Sequence, residues 1–93
     1  MEKTKHLDKS VDYVSIGLAI YNEEKNIEKA INAILNQSFR NFELIISDDC
    51  SKDKTYFLCK KYAEIDHRIK LHRQDKNIGV AENFNFVFKK RNI

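Results

Sequence analysis

Val14-Ser15-Ile16-Gly17-Leu18-Ala19-Ile20 runs directly into Tyr21-Asn22-Glu23-Glu24, and Phe42-Glu43-Leu44-Ile45-Ile46 runs into Ser47-Asp48-Asp49-Cys50-Ser51. Each is a short aliphatic, β-branched run that breaks abruptly into acids and amides, which is the pattern of a strand buried on most sides and halted at a loop. Between them Ile27, Ala30, Ile31, Ile34 and Leu35 recur at i, i+3, i+4, i+7 and i+8, so they share one stripe of a helix beginning near Asn26. Asn22 is placed to cap that helix, and Glu23 and Glu24 fall near its first turn, where acids meet the positive end of the helix dipole. Beyond the second run, Asp53 to Ile65 carries Phe57, Leu58, Tyr62 and Ile65 on one side and reads as a second helix capped by Ser51 or Asp53. Ile69 and Leu71, alternating with Lys70, His72 and Arg73, predict a weaker third strand. Val80, Phe84, Val87 and Phe88 predict a third helix running to the end of the chain.

The order is therefore β-α-β-α-β-α. Strands separated by helices of this length pair in parallel through right-handed crossovers, because a tight hairpin cannot join a parallel pair. This is the doubly wound α/β class, in which ligands bind outside the carboxyl ends of the strands. The residues placed there are Tyr21-Asn22-Glu23, Asp48-Asp49-Cys50-Ser51 and the stretch Asp75 to Gly79.

The whole chain of 93 residues has room for one small domain, and its 42% hydrophobic and 33% charged content excludes a disordered tail. The longest apolar run, Val14 to Ile20, is far below the roughly 18–20 residues that cross a bilayer, so no membrane span is expected. Met1 to Asp12 alternates Lys and acids without the apolar centre of a secretory signal, predicting a flexible first segment (residues 1–12) and a cytoplasmic protein. The net charge of +3 is too small to argue a nucleic-acid surface. From Ser47 onward eleven basic residues face seven acids, a bias that suits an anion or, more plainly, a solvated lysine-rich face. Cys50 and Cys59 are nine apart with no His at ligand spacing, so neither a zinc site nor a disulfide framework is expected.

Only Gly17 and Gly79 are present, and neither a Gly-x-Gly-x-x-Gly turn nor a Walker lysine motif follows the first strand. A phosphate cradle built on glycine backbones is thereby disfavoured. Acids stand in its place: Glu23, Asp48 and Asp49 suit neutral donors such as base imide N–H groups and ribose hydroxyls, or a divalent cation, and Tyr21 is placed to stack on a base. Each has a plainer reading. Glu23 serves as a helix-start acid, Tyr21 as packing, and one of the two aspartates as a cap. Cys50 reads as a small turn residue, and His6, His67 and His72 as solvent-facing or packing groups, with no nucleophile and base arrangement.

Taken in order, the runs into Tyr21-Asn22-Glu23-Glu24, then Ile34-Leu35-Asn36-Gln37-Ser38-Phe39, then Asp48-Asp49-Cys50-Ser51-Lys52-Asp53, Arg68-Ile69-Lys70, Asn77-Ile78-Gly79-Val80 and Asn83-Phe84 closely resemble the opening of family 2 glycosyltransferases. The resemblance covers about Tyr13 to Lys90. It implies the nucleotide-sugar-binding half (residues 13–93) of a Rossmann-like GT-A domain, a three-layer α/β/α fold with a partial doubly wound parallel sheet. It further implies a UDP- or dTDP-sugar as donor and inversion at the anomeric carbon, in glycan or polysaccharide synthesis. By position, Tyr21 and Asp49 would contact the base, Asp49 accepting a base N–H. Asn22, Glu23 and Asp48 would shape the same pocket, and Lys76, Asn77 and Gly79 would border it. Ala19 stands where the family often has a threonine, which removes one hydrogen bond to the base. Cys50 replaces the glycine of the usual Asp-Asp-Gly-Ser turn, which questions the backbone there.

The family's Asp-x-Asp motif for Mg²⁺ or Mn²⁺ and its general base come later than Ile93, so no metal ligand and no catalytic residue is assigned, and the chain is expected to be inactive alone. By the family's sheet order the first strand is central and pairs with a fourth strand absent from these residues. Its open edge predicts self-association. The alternatives are a non-catalytic regulatory or scaffold remnant of such an enzyme and, less favoured because the acid pair follows the second strand rather than the first, a receiver-like signalling domain. Association with the cytoplasmic membrane face is the expectation for a full-length enzyme.

Overall fold

The two aliphatic runs form strands β1 (Val14–Ile20) and β2 (Phe42–Asp48) in the computed structural model, which describes residues 13–91. Helix α1 (Ile27–Leu35) joins them, α2 (Thr55–Ile65) leads to β3 (Ile69–Arg73), and α3 (Val80–Lys90) follows. The three strands form one parallel sheet in the order β1-β2-β3. The expected α/β class and element order stand; the predicted flexible segment 1–12 lies outside the described residues.

Alternation along the strands sorts the layers. Ile16, Leu18, Ile20, Leu44 and Ile46 belong to the core cluster that takes in Ile27 and Ile31 of α1 and Cys59 of α2. Ile31, Leu44, Ile46 and Cys59 have no more than a trace of exposed surface. On the opposite face Gly17, Ile45 and Ser47 meet α3, where a Cβ on Gly17 would lie 2.5 Å from Val87 Cγ1. Two crossovers in one direction put α1 and α2 on the same side, and α3 turns back over the other side to lie against β1 and β2.

Several boundaries and faces differ from the sequence reading. β2 continues two residues past Ile46, because Ser47 and Asp48 keep parallel partners on both sides: Ala19 and Ile20 on β1, His72 and Arg73 on β3. Ser47 and Asp48 are wholly buried. Asn22 does not cap α1: Asn26 occupies the position before the helix, and Asn22 sits at φ 51° in the preceding loop. In α2 the buried positions are Thr55 and Cys59, while Phe57 and Ile65 are 71% and 81% exposed. In α3 the buried positions are Asn83 and Val87, and Val80, Phe84 and Phe88 face outward. A single apolar stripe cannot describe a helix that lies on a polar strand position, and Ser47 is that position. Its hydroxyl donates to Asn83 Oδ1 at 2.6 Å, Asn83 Nδ2 donates to the Ser47 carbonyl at 2.9 Å, and Gln74 Nε2 donates to the Ser47 hydroxyl at 3.0 Å. β2 is the middle strand, and among the described residues no strand pairs with the outer edge of β1.

Candidate functional site

The parallel register aligns Ile20, Asp48 and Arg73, so the loops after the three strands leave from one rim. Backbone bonds continue the alignment past the strand ends: Asp49 N–H donates to the Ile20 carbonyl at 2.8 Å, and Gln74 N–H to the Asp48 carbonyl at 2.9 Å. The loop after β1 and the loop after β2 are then laced together. Asn22 N–H donates to Ser51 Oγ, and Lys52 N–H donates back to Asn22 Oδ1, both at 2.8 Å. Glu23 N–H donates to Thr55 Oγ1 at 2.7 Å, and Lys54 N–H to Glu24 Oε1 at 2.8 Å. Asp53 Oδ1 accepts the Thr55 N–H at 2.9 Å, although Lys54, and neither Ser51 nor Asp53, occupies the position before α2. Burial works against ionising Asp53, but the bonds donated by Thr55 and by the Glu24 N–H outweigh it and hold its carboxyl below the usual range.

The two central acids take different tasks. Asp48 is fully buried; its Oδ2 accepts the Ser51 N–H at 3.0 Å, its Oδ1 accepts the Ser51 hydroxyl at 2.5 Å, and Arg73 Nε lies 3.7 Å from Oδ2. Arg73 in turn stacks on the Tyr56 ring at 4.6 Å. Beneath this acid, burial first and the Asp48 charge second push the Cys59 thiol up to about 12, which makes it an inert core group. Asp49 is 3% exposed and reaches across to the β3–α3 loop: Oδ1 accepts the Ile78 N–H at 2.7 Å, and Oδ2 accepts the Gly79 N–H at 2.9 Å. Asn77 Nδ2 donates to the Asp49 carbonyl at 3.2 Å. Gly79, at φ 93°, is the residue before α3, so Asp49 fixes the start of that helix.

Asn22 and Asp48 thus share Ser51 as a partner, and Asp49 bonds directly to Asn77 and Gly79, while Glu23 is tied through its backbone N–H to Thr55 instead. Tyr21, at 38% exposure, stands at the end of β1, Ala19 is an exposed position two residues before it, and Lys76 is exposed on the β3–α3 loop. The site residues that sequence reasoning missed are Ser51, Thr55, Arg73, Gln74 and Asn83. Ser51 and Asn83 lay within the quoted motifs; what could have marked them is a hydroxyl three residues past a strand-end acid, and an amide beside a helix's apolar stripe. Among the described residues no group of three or more His, Cys, Asp and Glu side chains is arranged to hold a metal. The oxygens of Asp48 are turned to Ser51, and those of Asp49 to the Ile78 and Gly79 amides.

Cys50 occupies the left-handed region at φ 59°, as its place in a glycine position suggests. An L-residue there costs roughly 1–2 kcal/mol, and the Sγ contact to the Asp75 carbonyl at 3.7 Å is a weak return. Cys50→Gly should therefore raise stability by about 1 kcal/mol after the added freedom of the unfolded chain is counted. A urea midpoint that stays put or falls would remove strain at Cys50 from this account.

The model of the family described as "Glycosyl transferase family 2" matches residues 15–91. The chain is 41% identical over 73 residues to the putative glycosyltransferase EpsE of Bacillus subtilis (strain 168), covering 77% of this chain and 26% of that protein. Among solved structures, S. aureus TarS 1–349 in complex with UDP superposes at TM-score 0.73 with 29% identity, over 85% of this chain and 24% of that one. The mannosyltransferase PcManGT from Pyrobaculum calidifontis, in complex with GDP-Man and Mn²⁺, shares the fold at TM-score 0.77 and 23% identity, over 85% of this chain and 24% of that one. The curated relatives are much longer, the chain spanning between 9% and 31% of their lengths. With the acid pair after the second strand, the interlaced loops and a family match over most of its length, this chain belongs to glycosyltransferase family 2.

Proposed function

We propose that this chain is the nucleotide-binding half of an inverting glycosyltransferase that uses a UDP- or dTDP-sugar, and that it does not transfer sugar by itself. The observation that carries the reading is the common rim on which the exposed Tyr21 ring, Glu23 and the Lys76-Asn77 turn stand around the Asp49 anchor. In this reading Tyr21 flanks the base. Asp49 keeps a lone pair on each oxygen beyond those given to Ile78 and Gly79, which leaves it able to accept a base N–H. Asn22 and Asp48 hold the pocket wall, Ala19 leaves room beside the base, and Gly79 lets the chain pass close to the ligand. A Mg²⁺ or Mn²⁺ ion would belong to the complete domain, with ligands other than these residues. No helix among the described residues is long and apolar enough to cross a membrane. The proposed location is the cytoplasm, at the membrane face for a full-length enzyme. Self-association through the open edge of β1 is part of the same reading.

Titration calorimetry with UDP, dTDP and GDP, with and without Mn²⁺, tests it. Weak, metal-independent binding of the pyrimidine nucleotides is expected. Tyr21→Ala should weaken it about tenfold, the loss of one stacking contact worth about 1–3 kcal/mol. Tyr21 is the better choice for this test because an Asp49 variant would also release the β3–α3 loop. Absence of any nucleotide binding would instead support the non-catalytic remnant.

A further inference from the structure

We propose that the loops at the amino ends of the strands form a binding site for a phosphoryl anion, at the end of the sheet opposite the rim that carries Tyr21 and Asp49. A cavity of about 270 Å³ opens there, where Phe42 begins β2 and Ile69 begins β3, and its wall carries Arg40, His67, Arg68 and Lys70. All of its lining lies between Tyr13 and Lys70, and none of it belongs to β1. The site is therefore independent of what pairs with the edge of β1 and of the nucleotide reading above.

Arg40 comes from the α1–β2 loop, His67 and Arg68 from the α2–β3 loop, and Lys70 from β3 itself. The two loops are tied to one another. Leu44 N–H donates to the Arg68 carbonyl at 2.8 Å, and Arg68 Nη1 donates to the Arg40 carbonyl at 3.2 Å. Arg68 Nε and Nη2 also donate to the Asp66 carboxylate at 3.1 and 2.8 Å, and the guanidinium stacks 4.4 Å from the centre of the Phe42 ring. A guanidinium carries five N–H donors in a planar fork, so one on Nη1 and one on Nη2 remain beyond these bonds. A merely solvated basic face would leave its cations to move independently in water. Here the orientation of Arg68 is fixed in advance, which removes part of the ordering cost an anion would otherwise meet.

Among the described residues no acid forms an ion pair with Arg40 or Lys70. Lys70 gives one bond, to the His67 carbonyl at 3.2 Å, and keeps two donors. The one acid on the wall, Glu43, is 3% exposed and accepts the Ser15 hydroxyl at 2.5 Å. Arg40, Arg68 and Lys70 outnumber Glu43 and Asp66, so the cavity keeps a positive surplus. Three separate cationic groups suit the three strong acceptor oxygens of a phosphoryl group better than the two of a carboxylate. A phosphorylated small molecule and a phospholipid headgroup both offer that chemistry.

Nuclear magnetic resonance titration of the 93-residue chain with inorganic phosphate and with glycerol 3-phosphate tests the site, alongside cosedimentation with vesicles of phosphatidylglycerol or of phosphatidylcholine. Saturable shifts are expected at the Phe42, Arg68 and Lys70 amides with Kd about 1 mM or tighter, while the Tyr21, Asp49 and Gly79 amides hold still. Arg40→Gln and Lys70→Gln, both at exposed positions, should each raise Kd about fivefold or more, and an otherwise unchanged amide spectrum shows that the fold is kept. Lys29→Gln, at an exposed position on α1, should leave Kd unchanged. Retention on phosphatidylglycerol but not phosphatidylcholine, lost in Arg40→Gln and Lys70→Gln, would assign the phosphoryl group to a lipid; binding of the soluble phosphates alone would assign it to a free ester. Binding in neither arm overturns the proposal. So do shifts centred on the opposite rim, or equal weakening by Lys29→Gln, which would reduce the effect to overall charge.

Discussion

Asp49→Ala is expected to cost about 3 kcal/mol of folding stability, because it removes a carboxylate that accepts two backbone N–H bonds, each worth roughly 1.5–3 kcal/mol when the acceptor is charged. The loss is not confined to the acid. The Ile78 and Gly79 amides would be left without their acceptor at the point where α3 begins, and Gly79, with no side chain, offers no cap of its own. The free energy should appear as a lower urea midpoint and as faster hydrogen exchange at those two amides, with the α1 amides unchanged. Asp49→Asn retains one acceptor oxygen and should lose about half as much. A cost below about 1 kcal/mol with both amides still protected would mean that Asp49 does not anchor the loop.

Gly17→Ala is expected to cost about 2 kcal/mol, since its new methyl would lie 2.5 Å from Val87 Cγ1, and overpacking of this kind typically costs about 1–3 kcal/mol. Val87 cannot yield easily: its branched side chain is stiff about χ1, and it is 6% exposed between helix and sheet. The pressure falls on α3 as a whole, opposing the Ser47–Asn83 bonds that hold it to β2. Removing the obstruction should restore the fit, so Gly17→Ala combined with Val87→Ala should cost at least 1 kcal/mol less than the two single changes added together. Strict additivity of the two in denaturant melts would show that α3 does not press on Gly17.

The contrast between these two sites shows what the sequence could and could not disclose. α1 and β2 were legible because their apolar periods match the environments they enter, one face for α1 and burial throughout for β2; β1 was legible as a strand but not as a deeply buried one, since Val14, Gly17 and Ala19 are exposed and Ile20 alone is buried. The order of elements then gave parallel pairing and put Tyr21, the acids and the Lys76 to Gly79 turn on one rim. The buried faces of α2 and α3 were not legible. Their exposed Phe57, Ile65, Phe84 and Phe88 are as apolar as their buried partners, and their contacts with the interior run through Thr55 and Asn83, which periodicity counts as polar. Neither was the division of labour between Asp48 and Asp49. Adjacent residues at the end of a strand point in opposite directions, so one reaches Ser51 in its own turn and the other a loop about thirty residues away, and no local pattern distinguishes them.

The lacing of the two rim loops bears on how descendants of such a molecule would change. Both aspartates, Ser51 and Thr55 hold backbone together whether or not any sugar is ever moved, so a copy released from selection for catalysis would still lose stability if it discarded them. Degenerate, chemically silent members of the lineage should therefore keep the acidic signature for the sake of the fold alone.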